Sequence, residues 1–283
     1  MQDRGGPSDL AIEPLIRAAL AEDLGVAGDV TSLACIHARA RLSAALVARG
    51  PGILAGLACA RLVFTTLDPH VRFAAETADC AVVAAGETLA RVEGEARAVL
   101  AGERVALNLL SRLCGIATLT GAYVEAVSGT KARIVDTRKT TPGLRALEKY
   151  AVRCGGGWSH RFGAYDGVLI KDNHVAACGG VGEALRRARE GVGHMVKIEV
   201  EVDRLEQLEE ALDHRPDVVM LDNFALADLR AAVAMASGRV LLEASGGVSL
   251  ETVRSIAQTG VDLISVGALT HSAPALDIAL DVR

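Results

Sequence analysis

Residues 132 to 174 read ARIVDTRKTTPGLRALEKYAVRCGGGWSHRFGAYDGVLIKDNH, and among them stand Arg138, Lys139, Arg145, Arg153, Arg161 and Lys171 in a chain of formal net charge -5. Cations gathered this way in an acidic protein imply an anion to hold. Arginine matches planar carboxylates and phosphates with paired hydrogen bonds, while lysine acts as a point charge. Arg138, Lys139, Arg161 and Lys171, with His160 beside them, could neutralise several negative charges, although any one of them alone reads equally well as a surface ion pair. Arg145 and Arg153 fall in the helix-like LRALEKYAVR and are read as ordinary surface residues. Farther on, Glu201 and Asp222 stand at the ends of apolar runs. They could bind Mg²⁺, hold ribose hydroxyls or stabilise a developing positive charge, or they could be solvated loop-edge carboxylates. Glu199 shares the face of Glu201 two residues earlier and lies deeper, so Glu201 is the better candidate.

These side chains need elements to bring them together. The runs ARIVDTRK, GVLIKDNH, VKIEVEVD, DVVMLDNF, RVLLEASGG and DLISVGALTH alternate with helix-like stretches such as LEQLEEAL and LETVRSIAQ. Their polar tips Lys139, Lys171, Glu201, Asp222, Ser245 and Gly267 recur at the length of a βα unit. Apolar strands in such units form a parallel sheet covered by helices, here a closed or nearly closed (β/α) barrel, with functional groups at the carboxyl ends of the strands. The tips then converge on one mouth, with cations on two strands, carboxylates on two, and small residues on two. Ser245-Gly246-Gly247 and Gly267-Ala268 are either ordinary turns or a phosphate site made of backbone N–H groups and a following helix N-terminus. Cations for a polyanion opposite carboxylates for a sugar cation describe phosphoribosyl transfer, whose oxocarbenium-like centre resembles that of glycoside hydrolysis.

The first hundred residues read differently. SDLAIEPLIRAALAEDLG predicts a helix with Leu15, Ile16, Ala19 and Leu20 on one face, Ser8 or Asp9 as N-cap and Gly25 as its stop. Short β-like pieces separated by Gly-rich turns follow, as in a small α+β domain. Residues 99–127 are apolar nearly all round, implying one or two buried helices. Arg104, Asn108, Ser111 and Arg112 form one polar stripe on them, facing a site, a subunit interface or solvent.

At 283 residues, the chain suits one large domain or a barrel with a smaller partner. With 51% hydrophobic but only 3% aromatic residues, its core must be aliphatic, and a nucleic-acid stacking surface is not expected. Six cysteines without CxxC pairing indicate neither a zinc site nor a disulfide framework, and are read as reduced thiols. The first residues lack an apolar signal core, and no charge-free apolar run reaches the roughly 18 residues of a bilayer span, so a cytoplasmic location is expected.

DTRKTTPGLRALEKYAVRCGGG, HRFGAYDGVLIKDNH, IEVEVD, LDNF, EASGG and SVGALTH, together with ALAEDLGVAGDVTS and GERVALNLLSRLCGIAT, resemble the quinolinate phosphoribosyltransferase family over nearly the whole chain. The resemblance implies an α/β protein with an N-terminal α/β sandwich domain and an incomplete (β/α) barrel of parallel strands. The small domain is expected at 1–112, with 271–283 packing back on it, and the barrel at 113–270. The implied reaction joins quinolinate to phosphoribosyl pyrophosphate, with Mg²⁺, giving nicotinate mononucleotide, pyrophosphate and CO₂ in NAD biosynthesis.

By motif, Thr137, Arg138, Lys139, His160, Arg161 and Lys171 would hold the quinolinate carboxylates and the phosphates. Lys139, Lys171, Glu201 and Asp222 would be catalytic, and the two carboxylates would hold the metal directly or through Mg-pyrophosphate. Ser245, Gly246 and Gly247, with Gly267, Ala268, Leu269, Thr270 and His271, would take the 5′-phosphate. Arg104 would reach the neighbouring subunit's site in a homodimer or higher oligomer. Where family members commonly carry a small residue and Asn before His-Arg, this chain has Trp158-Ser159. A related group associated with molybdenum transport shares part of TRKT but lacks the LIKDNH form. A Schiff-base aldolase using Lys139 or Lys171, or a non-catalytic phosphate-binding protein, would be another class.

Overall fold

The computed structural model describes residues 5–282; the first four residues and Arg283, which the expected small domain would include, lie outside the described residues. The strands in chain order are β1 (Arg41–Ala48), β2 (Gly52–Ile53), β3 (Arg72–Ala75), β4 (Val82–Val83), β5 (Thr88–Glu95), β6 (Arg133–Val135), β7 (Val168–Ile170), β8 (Ile198–Val202), β9 (Val218–Asp222), β10 (Leu241–Ser245), β11 (Leu263–Ser265) and β12 (Ile278–Val282). They make an antiparallel sheet β12-β1-β5-β3, a six-stranded sheet β6-β11-β10-β9-β8-β7 and the small pair β2-β4. All pairings in the six-stranded sheet are parallel.

Contacts divide the chain into two compact units, one of residues 5–121, Thr141–Gly156 and 272–282, the other Ala122–Thr140 and Gly157–His271. The expected division at 112/113 falls inside one helix, Ala96–Ala126. Nothing in its sequence stops it: its internal glycines Gly102, Gly115 and Gly121 lie against Phe64, Pro274 and Ile53, where a larger side chain would collide. This helix has the length and hydropathy of a bilayer span, but 56% of its most apolar window is buried inside the protein. Of its polar stripe, Arg104 and Asn108 are exposed and Ser111 and Arg112 half-buried.

In the first unit the helix Asp9–Leu24 buries Ile12, Ile16 and Leu20, and Gly25 ends it at φ 51°. Leu15 and Ala19 are only half-buried, because the i, i+4 spacing centres the face one residue from the expected stripe. The helix Leu57–Leu67 begins on Gly56 at φ 106°, and the Asp79 carboxylate accepts the N–H groups of Gly56 and Leu57 at its positive end. β12 pairs with β1 from Ala44↔Val282 to Ala48↔Ile278.

The helix Arg145–Cys154, expected to cover the barrel, belongs to this first unit. Glu148 is fully buried and accepts hydrogen bonds from Arg112 Nε at 2.9 Å and the Thr141 N–H at 3.1 Å, while Tyr150 donates to Asp79. Arg112 is thus held structurally rather than offered to a ligand. Glu148→Gln should lower unfolding free energy by about 2 kcal/mol in a denaturant titration, because the guanidinium loses its ionic acceptor.

In the second unit, six parallel strands joined by helices form an incomplete barrel. β6 and β7 are its two open edges, and Trp158 pairs with Val135 as a single parallel bridge along β6. The Trp158 ring lies under the Arg133 guanidinium at 4.0 Å and is half-exposed, so its bulk is accommodated outward.

Candidate active site

The carboxyl ends of the strands enclose a cavity of about 320 Å³ lined by Thr137, Arg138, Lys139, His160, Arg161, Lys171, Glu201, Asp222 and Ser245. A second hollow of about 430 Å³ includes Lys131, Asp262, Lys197 and Asp217 in its lining. There each of these cations already meets a carboxylate, Lys131 on Asp262 and Lys197 on Asp217.

Register explains the convergence at the first cavity. Ser245 lies beside Asp222, and Glu201 beside Met220, with alternate side chains of each strand facing the interior. Lys171 follows β7 directly and its Nζ donates to Glu201 Oε2 at 2.6 Å. Lys139 lies four residues beyond β6, on a loop held by the Thr270 hydroxyl, which donates to the Lys139 carbonyl at 2.7 Å. The Lys139 stem crosses so close to Gly267 that a Cβ there would lie 3.0 Å from its Cδ.

Not every expected residue reaches the cavity. Leu269 and Thr270 are buried, Leu269 as a core side chain and Thr270 as the loop anchor just described. Gly246, Gly247, Gly267, Ala268 and His271 form the turns that follow β10 and β11. The helix expected after Ser245-Gly246-Gly247 begins only at Val253, because positive φ at Gly246 (93°) and Gly247 (61°) turns the chain first. After β11 a single turn, Ala268–His271, starts at once. Gly246 is needed sterically, since a Cβ would meet Asn223 Oδ1 at 2.0 Å. Asn223 in turn donates its N–H to Ser245 O and its side-chain amide to Asp222 Oδ2. Gly246→Ala should therefore displace Asp222, raising KM several-fold and costing about 1–3 kcal/mol of stability. Steady-state kinetics and thermal melts check both effects.

Beneath the rim lies a feature the sequence reading passed over. Glu243 is 1% exposed on the cavity floor, and Ser265 joins it in the lining. His160 accepts the Arg161 N–H on Nδ1 at 2.8 Å, so its neutral ring carries the proton on Nε2, which lies 2.8 Å from Glu199 Oε2 and 3.7 Å from Glu243 Oε2. Both imidazole nitrogens are thereby committed within the protein. This group places three metal-ligand side chains within 4.8 Å of one another, with the Nε2 turned toward Glu199. Burial first, and then the neighbouring Glu199 charge, push the Glu243 carboxyl up to about 8, with Asp136 adding to the rise and His160 and Ser265 opposing it. A glutamate in an otherwise apolar strand, two residues before a tip, was the available signal.

Arg161 shows the need for an anion. Burial and then the charge of Arg138 hold its guanidinium below the ordinary arginine value. Its Nη1 donates to Gly167 O, while its Nε is buried without a partner. Ser159 likewise has a buried hydroxyl without a partner. Glu201 and Asp222 offer hard oxygen donors, each with one oxygen engaged, by Lys171 and by Asn223. Two such carboxylates fit Mg²⁺ that brings further ligands with a substrate phosphate.

The domain models described as quinolinate phosphoribosyl transferase match residues 29–114 for the N-terminal domain and 116–281 for the C-terminal domain. The chain is 46% identical over 273 residues to the probable nicotinate-nucleotide pyrophosphorylase [carboxylating] of Bacillus subtilis, covering 96% of this chain and 94% of that one. It is 48% identical over 278 residues to the nicotinate-nucleotide pyrophosphorylase [carboxylating] of Mycobacterium leprae, covering 96% and 97%. Among solved structures, NadC from Streptococcus pyogenes superposes with a TM-score of 0.95 at 38% identity, covering 99% of each chain.

Proposed function

The chain belongs to the quinolinate phosphoribosyltransferase family, and from that premise we propose how its barrel mouth carries out the reaction. The enzyme transfers the phosphoribosyl group of phosphoribosyl pyrophosphate to quinolinate and releases pyrophosphate and CO₂, leaving nicotinate mononucleotide for NAD synthesis. The observation that supports this reading best is the meeting, around one cavity, of Arg138, Lys139, Arg161 and Lys171 with Glu201 and Asp222. The cations would take the two quinolinate carboxylates and the phosphates. Glu201 and Asp222 would stand against the ribose, where positive charge develops as the bond to pyrophosphate breaks. The same two residues would hold Mg²⁺, which when bound neutralises charge on the departing pyrophosphate. Ser245, with the Gly246–Gly247 turn and the turn at Gly267, would receive the 5′-phosphate.

The test is to give the purified protein phosphoribosyl pyrophosphate and quinolinate and to assay nicotinate mononucleotide, pyrophosphate and CO₂. All three should appear in equal amounts. Borohydride trapping of a carbonyl substrate on lysine, without pyrophosphate release, would instead support the aldolase reading. That reading is not favoured, since the Lys171 Nζ is engaged by Glu201. Neither is a molybdenum-transport relative, given the family match.

In our reading the enzyme is a cytoplasmic homodimer, each barrel receiving Arg104 from the other subunit. What supports the second part is that Arg104 is exposed, with only its neighbour Glu103 at 4.0 Å as ionic partner among the described residues. Arg104→Ala and Glu201→Ala proteins should each be inactive alone. Mixed after subunit exchange, they should regain up to about a quarter of wild-type activity, because half the dimers are mixed and each has one intact site. No recovery despite exchange verified by mass would end the shared-site reading.

A further inference from the structure

The mouth residues account for binding and for ribosyl transfer but leave one chemical requirement unmet. When CO₂ departs, the bond between the ring carbon and the carboxyl carbon breaks and its electron pair stays on the ring carbon, beside the newly alkylated nitrogen. That carbon must gain a proton before the product is complete. The floor of the cavity holds an acid in the right state.

Glu243 sits in β10 in register with Met220 of β9 and Leu263 of β11. Ser245, two residues later on the same face, lines the same cavity. The groups around the Glu243 carboxyl are Glu199 from β8, His160 from the segment before β7, Asp136 after β6, and Ser265 from β11. Two of the four are carboxylates. His160 directs its proton to Glu199, and the Glu243 Oε1 is buried without a partner. An ionised Glu243 would therefore lie buried against other carboxylates, whereas a protonated one is a neutral acid beneath the substrate.

Resting on the reaction proposed above, we propose that Glu243 is the general acid that protonates the ring carbon vacated by CO₂. Its O–H bond breaks, the proton goes to the carbon, and Glu243 is left as a carboxylate that solvent reprotonates as product leaves. Burial and Glu199 keep the proton on Glu243 at neutral pH, since they lift its carboxyl to about 8. Quinolinate and the phosphates, all anionic, can only strengthen that effect.

The experiment follows pyrophosphate and CO₂ separately by rapid quench over the first turnovers. In the wild type the two should rise together. In Glu243→Gln, pyrophosphate should still form while CO₂ lags by on the order of tenfold or more and the carboxylated nucleotide accumulates, because an unprotonated carbanion recaptures CO₂. CO₂ keeping pace with pyrophosphate in this variant overturns the proposal. If the variant does not fold, the wild type is measured from about pH 6 to about pH 9.5, where CO₂ should fall behind pyrophosphate as Glu243 ionises. A ratio constant over that range overturns it equally. Failure of the wild type to form pyrophosphate at all would instead count against the reaction itself.

A readout independent of turnover is stability. The native carboxyl holds its proton to about 8 while the unfolded one releases it near 4.5, so between those values the native state binds more protons and unfolding free energy falls as pH rises. Glu243→Gln should remove that part of the slope, and an unchanged slope would show that Glu243 does not hold the proton.

Discussion

Nicotinate offered in place of quinolinate should react between roughly a hundredfold and a few thousandfold more slowly, a loss of about 3–5 kcal/mol. The two acids differ by one carboxylate, and the cavity contains cations whose need for it is visible. Arg161 has one guanidinium nitrogen on a backbone carbonyl, another buried and unbonded, and Arg138 close enough to disfavour its charge. A dicarboxylate relieves both the repulsion and the unsatisfied donor. A monocarboxylate leaves one cation desolvated and unpaired, which is why a site built for a polar group rejects the analogue lacking it more strongly than an apolar pocket rejects a missing methylene. Comparable kcat/KM for the two acids would remove the dicarboxylate assignment of Arg138 and Arg161.

Lys171→Ala should lower kcat/KM by about 2–5 kcal/mol equivalent. Its Nζ lies 2.6 Å from Glu201 Oε2, and Glu201 is largely buried, so truncation removes a cation from the cavity and also leaves a carboxylate without its partner. A double-mutant cycle of Lys171→Ala with Glu201→Gln, read as thermal stability rather than turnover, isolates the cost of the orphaned charge. Lys139→Ala should fall in the same range, since its ammonium is carried into the cavity by a loop that Thr270 and Gly267 hold from below. Near-normal activity in both single variants would mean that the mouth of the barrel is not the site.

How far the sequence announced this arrangement depends on the element. Each apolar run that ends in a polar tip is a strand of the six-stranded sheet, because a buried parallel strand is largely apolar and a polar residue at its tip marks its end. Lys171, Asp222 and Ser245 could be placed from that alone. Lys139 sits farther along its loop than a strand tip, a displacement set by the Thr270 anchor, which no local pattern signals. The helix Arg145–Cys154 reads as one more barrel helix, yet it is drawn into the other unit by Glu148, Tyr150 and Arg112, long-range polar contacts that periodicity does not carry. Glu243 carries a weaker signal, a lone glutamate two residues before the tip of VLLEAS, and burial beside a second carboxylate is what makes it chemically unusual. The Arg104 stripe was legible as a stripe; its purpose was not.

The pairing of β12 with β1 has a consequence for synthesis. β1 is translated early, and its β12-facing edge keeps unpaired N–H and C=O groups until the ribosome has passed through every barrel strand. For that interval a nascent chain carries an open, apolar strand edge of the kind that recruits other chains. The first unit to be made is thus among the last to be finished, and shielding of that edge during elongation, rather than the final stability of the fold, would govern how much of the chain matures instead of aggregating.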